Sequence, residues 1–184
     1  APIANSQPQD IDIVSVVHQP EQEQWRALLE KALGAIEDKQ FDKVVMARKT
    51  TLTLKQNLNP VQFINSSKKV NHRCFHFMMR FDAETAFLGW SPEQLFYRQG
   101  NQLMTEALAG TVASSSDDGE AQNLANWLMN DSKNQYENRL VVDDICQRLK
   151  PFVKKVDIQP VEIVRLRKVQ HLRHGIHAEL NYIN

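Results

Sequence analysis

Five places in this sequence combine residue types and spacings that can do chemistry. Lys43 sits in an apolar run with Phe41, Val44, Val45 and Met46. A lysine taken out of water on a strand favours its neutral form and can act as a base, whereas an edge-strand lysine in water stays an ordinary cation. In Gly89-Trp90-Ser91-Pro92-Glu93 a strand breaks into a Ser-Pro turn and presents a carboxylate, either an acid held in a cleft or a solvated turn residue. In Thr105-Glu106-Ala107-Leu108-Ala109-Gly110-Thr111 a strand runs into a small-residue loop. There Gly110 lets backbone N–H groups approach an anion, or simply supplies a positive φ. Lys133 and Glu137 stand four apart, the spacing of a helical ion pair, while Glu137, Val141 and Asp144 share a stripe with apolar neighbours. A carboxylate at the edge of such a stripe also suits Mg²⁺, a hard dication that takes oxygen and keeps several waters. His171 shares a strand face with Arg173, but His174 and His177 alternate faces, which argues against a three-His metal site. A single strand histidine is more commonly a hydrogen-bonded structural residue.

These residues need elements to hold them. Residues 1–20, with three prolines among polar residues, predict an extended arm or one edge strand. Trp25, Leu28, Leu29, Ala32, Leu33 and Ile36 recur at helical spacing after Pro20, so the pattern predicts an amphipathic helix from 21. Val and Thr enrichment over 41–54 predicts a strand that would carry Lys43. A helix is expected over 59–70, opened by Asn-Pro, and strands over 73–81, 87–90, 94–98 and 101–105 as an antiparallel meander. After a polar loop at 114–119 the spacing of Leu124, Leu128, Leu140, Val141, Ile145 and Leu149 predicts one long helix, closed by Pro151. Strands return over 161–166 and 169–180. Helices and strands come in blocks rather than in alternation, which favours an α+β class.

Composition limits the partners. The 184 residues suit one domain or part of a larger one. Lys plus Arg equals Asp plus Glu at 22 each, so no basic field draws the chain to nucleic acid or to an acidic membrane. Cys74 and Cys146 lack metal-ligand spacing and are too few for a disulfide framework, which points to reduced thiols in a cytoplasm. No stretch approaches ~18 apolar residues, and the start has no signal-peptide pattern, so neither a membrane span nor a secretory leader is expected. Oligomeric state is not readable from these features.

Five segments carry a resemblance: Phe41-Asp42-Lys43-Val44-Val45-Met46-Ala47-Arg48, Phe87-Leu88-Gly89-Trp90-Ser91-Pro92-Glu93, Thr105 to Thr111, Lys133-Asn134-Gln135-Tyr136-Glu137-Asn138, and Leu166-Arg167-Lys168-Val169-Gln170-His171-Leu172-Arg173. In their order and spacing they resemble the chorismate-utilising enzymes, and within that family the menaquinone-specific isochorismate synthases of bacteria. The resemblance runs from about 21 to about 180. It implies the aminodeoxychorismate-synthase-like α+β fold, with antiparallel sheets and packed helices, as a partial domain over 21–184. It also implies Mg²⁺-dependent conversion of chorismate to isochorismate, an isomerase of the hydroxymutase type, by water addition at C2 with loss of the C4 hydroxyl. By the same resemblance Lys43 activates the water, Glu93 protonates the departing hydroxyl and Glu137 coordinates Mg²⁺. Ala109, Gly110, Thr111 and His171 then line the substrate pocket.

Two residues separate branches of the family. Aminodeoxychorismate synthases often place a nucleophilic lysine where this chain has Ala109, and anthranilate synthases typically lack a lysine at the place of Lys43. Both differences favour water as nucleophile. Salicylate synthases keep the lysine, so loss of pyruvate to give salicylate stays an alternative. Family members also continue beyond the equivalent of Leu180 into a segment with a Gly-rich turn, a carboxylate-binding Arg and a second Mg²⁺-binding Glu. The resemblance is therefore to the middle of such an enzyme, and a catalytically silent remnant that serves as a binding or interaction module is the alternative from another class.

Overall fold

The computed structural model describes residues 11–182. By contact the chain falls into two compact units, one up to Phe63 and one from Ile64 onward. In the first unit β1 (Ile13–Gln19) pairs antiparallel with β2 (Lys49–Leu54), and between them lies α1 (Gln22–Glu37). This pairing ties the expected N-terminal segment to residues 49–54, and the division between units falls inside α2 (Pro60–Lys68). The part of the expected arm at 1–10 lies outside the described residues. Glu21 N–H donates to Gln24 Oε1 at 3.2 Å at the start of α1, whose Leu28, Leu29 and Leu33 form the predicted stripe but are not buried.

The strand expected over 41–54 forms only as β2. Its ladder ends where Gln19 faces Lys49, because the next residue on the partner side is Pro20, which has no N–H to donate and leads into α1. Residues 41–48 therefore run without a ladder. Lys43 lies on that irregular stretch, half-buried, and Val45 is 81% exposed. α2 follows as expected: Asn59 Oδ1 accepts from the N–H groups of Val61 (3.0 Å) and Gln62 (3.2 Å), with Pro60 at the first helical position.

In the second unit β3 (Phe75–Arg80) and β4 (Ala86–Ser91) form a two-stranded sheet closed by Asp82, whose Oδ1 accepts from Glu84 N–H at 2.7 Å and Thr85 N–H at 2.6 Å. The larger sheet has the order β5 (Tyr97–Gln99), β6 (Gln102–Ala113), β9 (Val169–Leu180), β7 (Val153–Ile158), with β8 (Glu162–Arg165) also on β9. The expected meander is thus broken between β4 and β5, which belong to different sheets. The irregular connection has side chains in place of ladder bonds. Glu106 Oε1 accepts the Gln94 N–H and Thr105 Oγ1 donates to Leu95 O, both at 2.7 Å.

The single long helix expected after residue 119 is two, α3 (Asp118–Asn130) and α4 (Ser132–Leu149). Asp131 separates them with extended φ/ψ of −79° and 114°, and its carboxylate caps α4 by accepting from Asn134 N–H at 2.9 Å. β7 was not legible, since Lys154, Lys155 and Asp157 interrupt its apolar alternation and the register shifts between Val153 and Lys155. Both helices pack on the large sheet. Ala107, Val142 and Ile176 form its fully buried centre, with Val141, Ile145, Cys146, Leu149 and Val156 against them. Gln170 is also buried, and its Nε2 donates to Ala121 O at 2.8 Å, joining α3 to β9.

Candidate functional site

The Ala109-Gly110-Thr111 segment is a bulge inside a continuous strand rather than the loop expected from its small residues. β6 faces β9 from Gln102 to Ala113, and the register slips between Leu108 and Thr111. Gly110 takes φ +83° here. A Cβ at this position would lie 3.1 Å from Asn134 O and from Leu172 Cδ1, so both the conformation and the close approach of α4 require glycine.

Two asparagines from α4 hold the bulge. Asn134 Oδ1 accepts from Thr111 N–H at 3.2 Å, while its Nδ2 donates to Asp131 Oδ1 at 2.7 Å. Asn138 is fully buried, and its Nδ2 faces three carbonyls: Ala107 O (3.2 Å), Ala109 O (2.9 Å) and Leu172 O (3.1 Å). Those acceptors fix the amide orientation, so Oδ1 faces His174 Nδ1 at 2.7 Å and accepts its proton. Burial, and secondarily the Arg139 charge, lower the His174 pKa, in keeping with a neutral ring. Neither asparagine was singled out from sequence. The signal was available: Asn134, Asn138 and Val142 are spaced by four and form the buried stripe of α4, whereas Glu137 and Val141 are half-buried and Asp144 is exposed, paired with Arg148 at 2.8 Å.

The bulge presents Thr111 beside His171, the residue directly opposite on β9, and Thr111 Oγ1 and His171 Nδ1 share a hydrogen bond of 2.9 Å. Burial lowers the His171 pKa, so the ring tends to be neutral. His171 borders a cavity of about 840 Å³ that Lys69, His72, Arg73, Arg165, Arg167 and Lys168 also line. No carboxylate is among its lining residues. Such a wall suits an anionic ligand.

Pro92 and Trp90 reach the same cavity, and the next residue of the corner is Glu93. Ser91 Oγ accepts the Glu93 N–H at 3.2 Å and donates to Glu93 O at 3.1 Å, so the Ser-Pro turn is internally closed. Burial raises the Glu93 pKa and the Glu106 charge raises it further, while the backbone N–H of Leu108 works the other way. An acid in this setting keeps its proton to higher pH than an ordinary carboxyl. Leu108 directly precedes the bulge, so β6 joins Glu93 to Thr111 and, through the β6–β9 register, to His171. Lys43 belongs to the first unit, and Glu137 lies on α4 next to Asn138.

Among the described residues no three His, Cys, Asp or Glu side chains converge as a closed metal cage. The donor chemistry of a half-buried Glu137 fits a Mg²⁺ held by one protein carboxylate, with waters and substrate oxygens completing the sphere. No helix among the described residues is long and apolar enough to cross a membrane.

The chain matches the family model for chorismate binding enzymes over residues 3–183. It is 49% identical over 164 residues to isochorismate synthase MenF of Escherichia coli (strain K12), covering 89% of this chain and 38% of that protein. It is 42% identical over 172 residues to isochorismate synthase MenF of Pasteurella multocida (strain Pm70), covering 94% of this chain and 39% of that one. The chain therefore spans about two fifths of the length of these relatives. The solved structure of the menaquinone-specific isochorismate synthase from Escherichia coli superposes with a TM-score of 0.91 and 46% identity, over 96% of this chain and 41% of that one. A Bacillus anthracis structure described as a putative 2,3-dihydroxybenzoate-specific isochorismate synthase, at 20% identity, shares the fold with a TM-score of 0.87 over 96% of this chain and 48% of that one. With a match over nearly its whole length, this chain belongs to the chorismate binding enzyme family.

Proposed function

We propose that this chain carries the acid–base chemistry of an isochorismate synthase of the menaquinone pathway, turning chorismate into isochorismate. The observation that carries the reading is the Glu93 corner: a carboxyl whose pKa is raised by burial and by Glu106, tied through Leu108 to the bulge that sets Thr111 beside His171. Departure of a hydroxyl needs an acid that keeps its proton to higher pH than an ordinary carboxyl, and the setting of Glu93 works in that direction. The cation-lined cavity beside Pro92 suits a substrate with two carboxylates.

In this reading Lys43 takes a proton from the water that adds at C2, and Glu93 gives one to the hydroxyl leaving C4 as the ring double bonds shift. One water enters and one leaves, so the product is an isomer. Ala109, Gly110, Thr111 and His171 line the ring and carboxylate positions, with the Thr111–His171 pair offering a hydrogen-bonding edge that burial keeps uncharged. Glu137 would hold Mg²⁺, which supplies neutralisation of a substrate carboxylate. The two small residues at 109 and 110 leave no nucleophile on the bulge to compete with water.

Incubation of the chain with chorismate and Mg²⁺, with products resolved by chromatography, tests the reading. Isochorismate is the expected product; salicylate with pyruvate moves the chain to the salicylate branch, and no turnover under any Mg²⁺ concentration favours a binding module. Lys43→Ala should abolish product while chorismate binding stays within a few-fold, and Lys43→Arg should not restore it, because guanidinium stays protonated. Glu93→Gln should lower turnover by about 10²-fold or more, the usual range for loss of a general acid.

A further inference from the structure

The contacts around Glu93 extend past the residues that touch its carboxyl. Glu106 on β6 has a side chain only 12% exposed, and each of its oxygens has a separate task. Oε1 accepts the N–H of Gln94, the residue after the acid, at 2.7 Å, and Oε2 accepts from Arg173 Nη1 at 3.2 Å. Arg173 turns its remaining edge to Glu162, with Nε at 2.7 Å from Oε1 and Nη2 on the same oxygen. The register explains the meeting. Arg173 stands opposite Leu108 on β6 and Glu162 on β8, which makes Glu106 its diagonal neighbour two residues along the same face.

We propose that Glu106, locked by Arg173 and Glu162, is a positioning residue for Glu93, holding the corner that carries the acid and setting the field at its carboxyl. The proposal rests on the reading of Glu93 as the general acid. A charge-assisted bond to the Gln94 N–H is stronger than a neutral one and fixes the backbone one residue from the acid. Thr105, the preceding residue of β6, fixes the carbonyl of Leu95 at 2.7 Å, so two successive side chains of one strand hold the Glu93–Gln94 and Leu95–Phe96 peptide groups. The charged or titratable groups about this corner are Arg73 from the turn before β3, Glu106 from β6, Glu162 from β8 and Arg173 from β9, and across Pro92 the cavity wall of Lys69, His72, Cys74, Arg165, Arg167, Lys168 and His171. Arg173 shares one positive charge between two carboxylates, so its network leaves negative charge beside Glu93. That charge, added to burial, favours the protonated acid. An ordinary exposed ion-pair network would hold two strands together and leave Glu93 untouched.

NMR on the labelled chain separates these cases. Glu106→Gln keeps the shape and an acceptor for Gln94 but removes the charge, and Glu93→Gln assigns the Glu93 δ-carbon signal. In Glu106→Gln the titration midpoint of Glu93 should move to lower pH, and the Gln94 amide should exchange about 10-fold faster as its bond weakens. An unmoved midpoint, or Gln94 exchange equal to the parent's, overturns the proposal. Full turnover of chorismate by Glu93→Gln overturns the reading of Glu93 as the acid instead, in a separate measurement from the two Glu106→Gln signals.

Discussion

Gly110 adopts φ +83° at a point where an added Cβ would meet a backbone oxygen of α4 and the Leu172 side chain at 3.1 Å. Gly110→Ala should therefore destabilise the chain by about 2 kcal/mol or more, read by urea unfolding, since the strained conformation and the close contact add. The two histidines beside the bulge give a pH dependence of known sign. Burial holds the His171 and His174 pKa values below the ordinary 6.5, so neutral imidazole is preferred in the folded protein. Their contribution to stability is fully present above about 6.5 and is lost as pH falls through the depressed folded values. Glu93, raised by burial and Glu106, has the opposite sign: it costs stability above the ordinary carboxyl range, and that cost disappears on acidification. Thermal melts from pH 7.5 to 5.5 should show a falling midpoint in the parent and a shallower fall in His174→Gln. Equal slopes would remove His174 from this account.

α4 is the element on which the site depends. Asp131 caps it, its first and second turns carry Asn134 and Asn138, and these reach across to β6 and β9. Asn138→Ala leaves three carbonyls, those of Ala107 and Leu172 buried, and the His174 N–H without this partner, so a loss of about 3 kcal/mol is expected in chemical denaturation. Asp131→Ala removes the cap and the partner of Asn134 Nδ2, both at the start of the helix, and should cost less, about 1–2 kcal/mol. The ranking of the two is the test, because a helix held mainly by its own capping would reverse it. From the sequence the pair α3–α4 reads as one helix, since apolar spacing continues on both sides of Asp131. What breaks it is the local preference of an aspartate to bond its own backbone three residues on, a competition that apolar periodicity does not record.

Across the whole chain, apolar faces are unevenly covered. On β3 and β4 the residues Phe75, Phe77, Met79 and Phe87 share one face, and Phe75, Met79 and Phe87 are each more than half exposed. The Phe77 and Phe87 rings meet at 5.5 Å, with the Phe77 ring lying over Gly89. A contiguous apolar surface of this kind binds hydrophobic dyes. At micromolar concentration the chain should raise the fluorescence of ANS, and Met79→Lys with Phe87→Thr should lower that signal without lowering the melting midpoint by more than a few degrees. The α+β class, α1, α2, β3, β8 and β9 were all legible in the sequence, because apolar spacing, Asn-Pro and β-branched enrichment are local properties that survive into the fold. The segments around Glu93, Gly110 and His171 stand out in the sequence through their order along the chain, and the structure sets them at the end of β4, on β6 and on β9. The end of β2 at Lys49, the split of the meander, the bulge at Ala109 and Gly110, and the roles of Glu106, Arg173, Asn134 and Asn138 were decided only by the tertiary structure. Each depends on which strand or helix lies opposite, and a side chain that bonds to backbone dozens of residues away leaves no periodicity in its own neighbourhood.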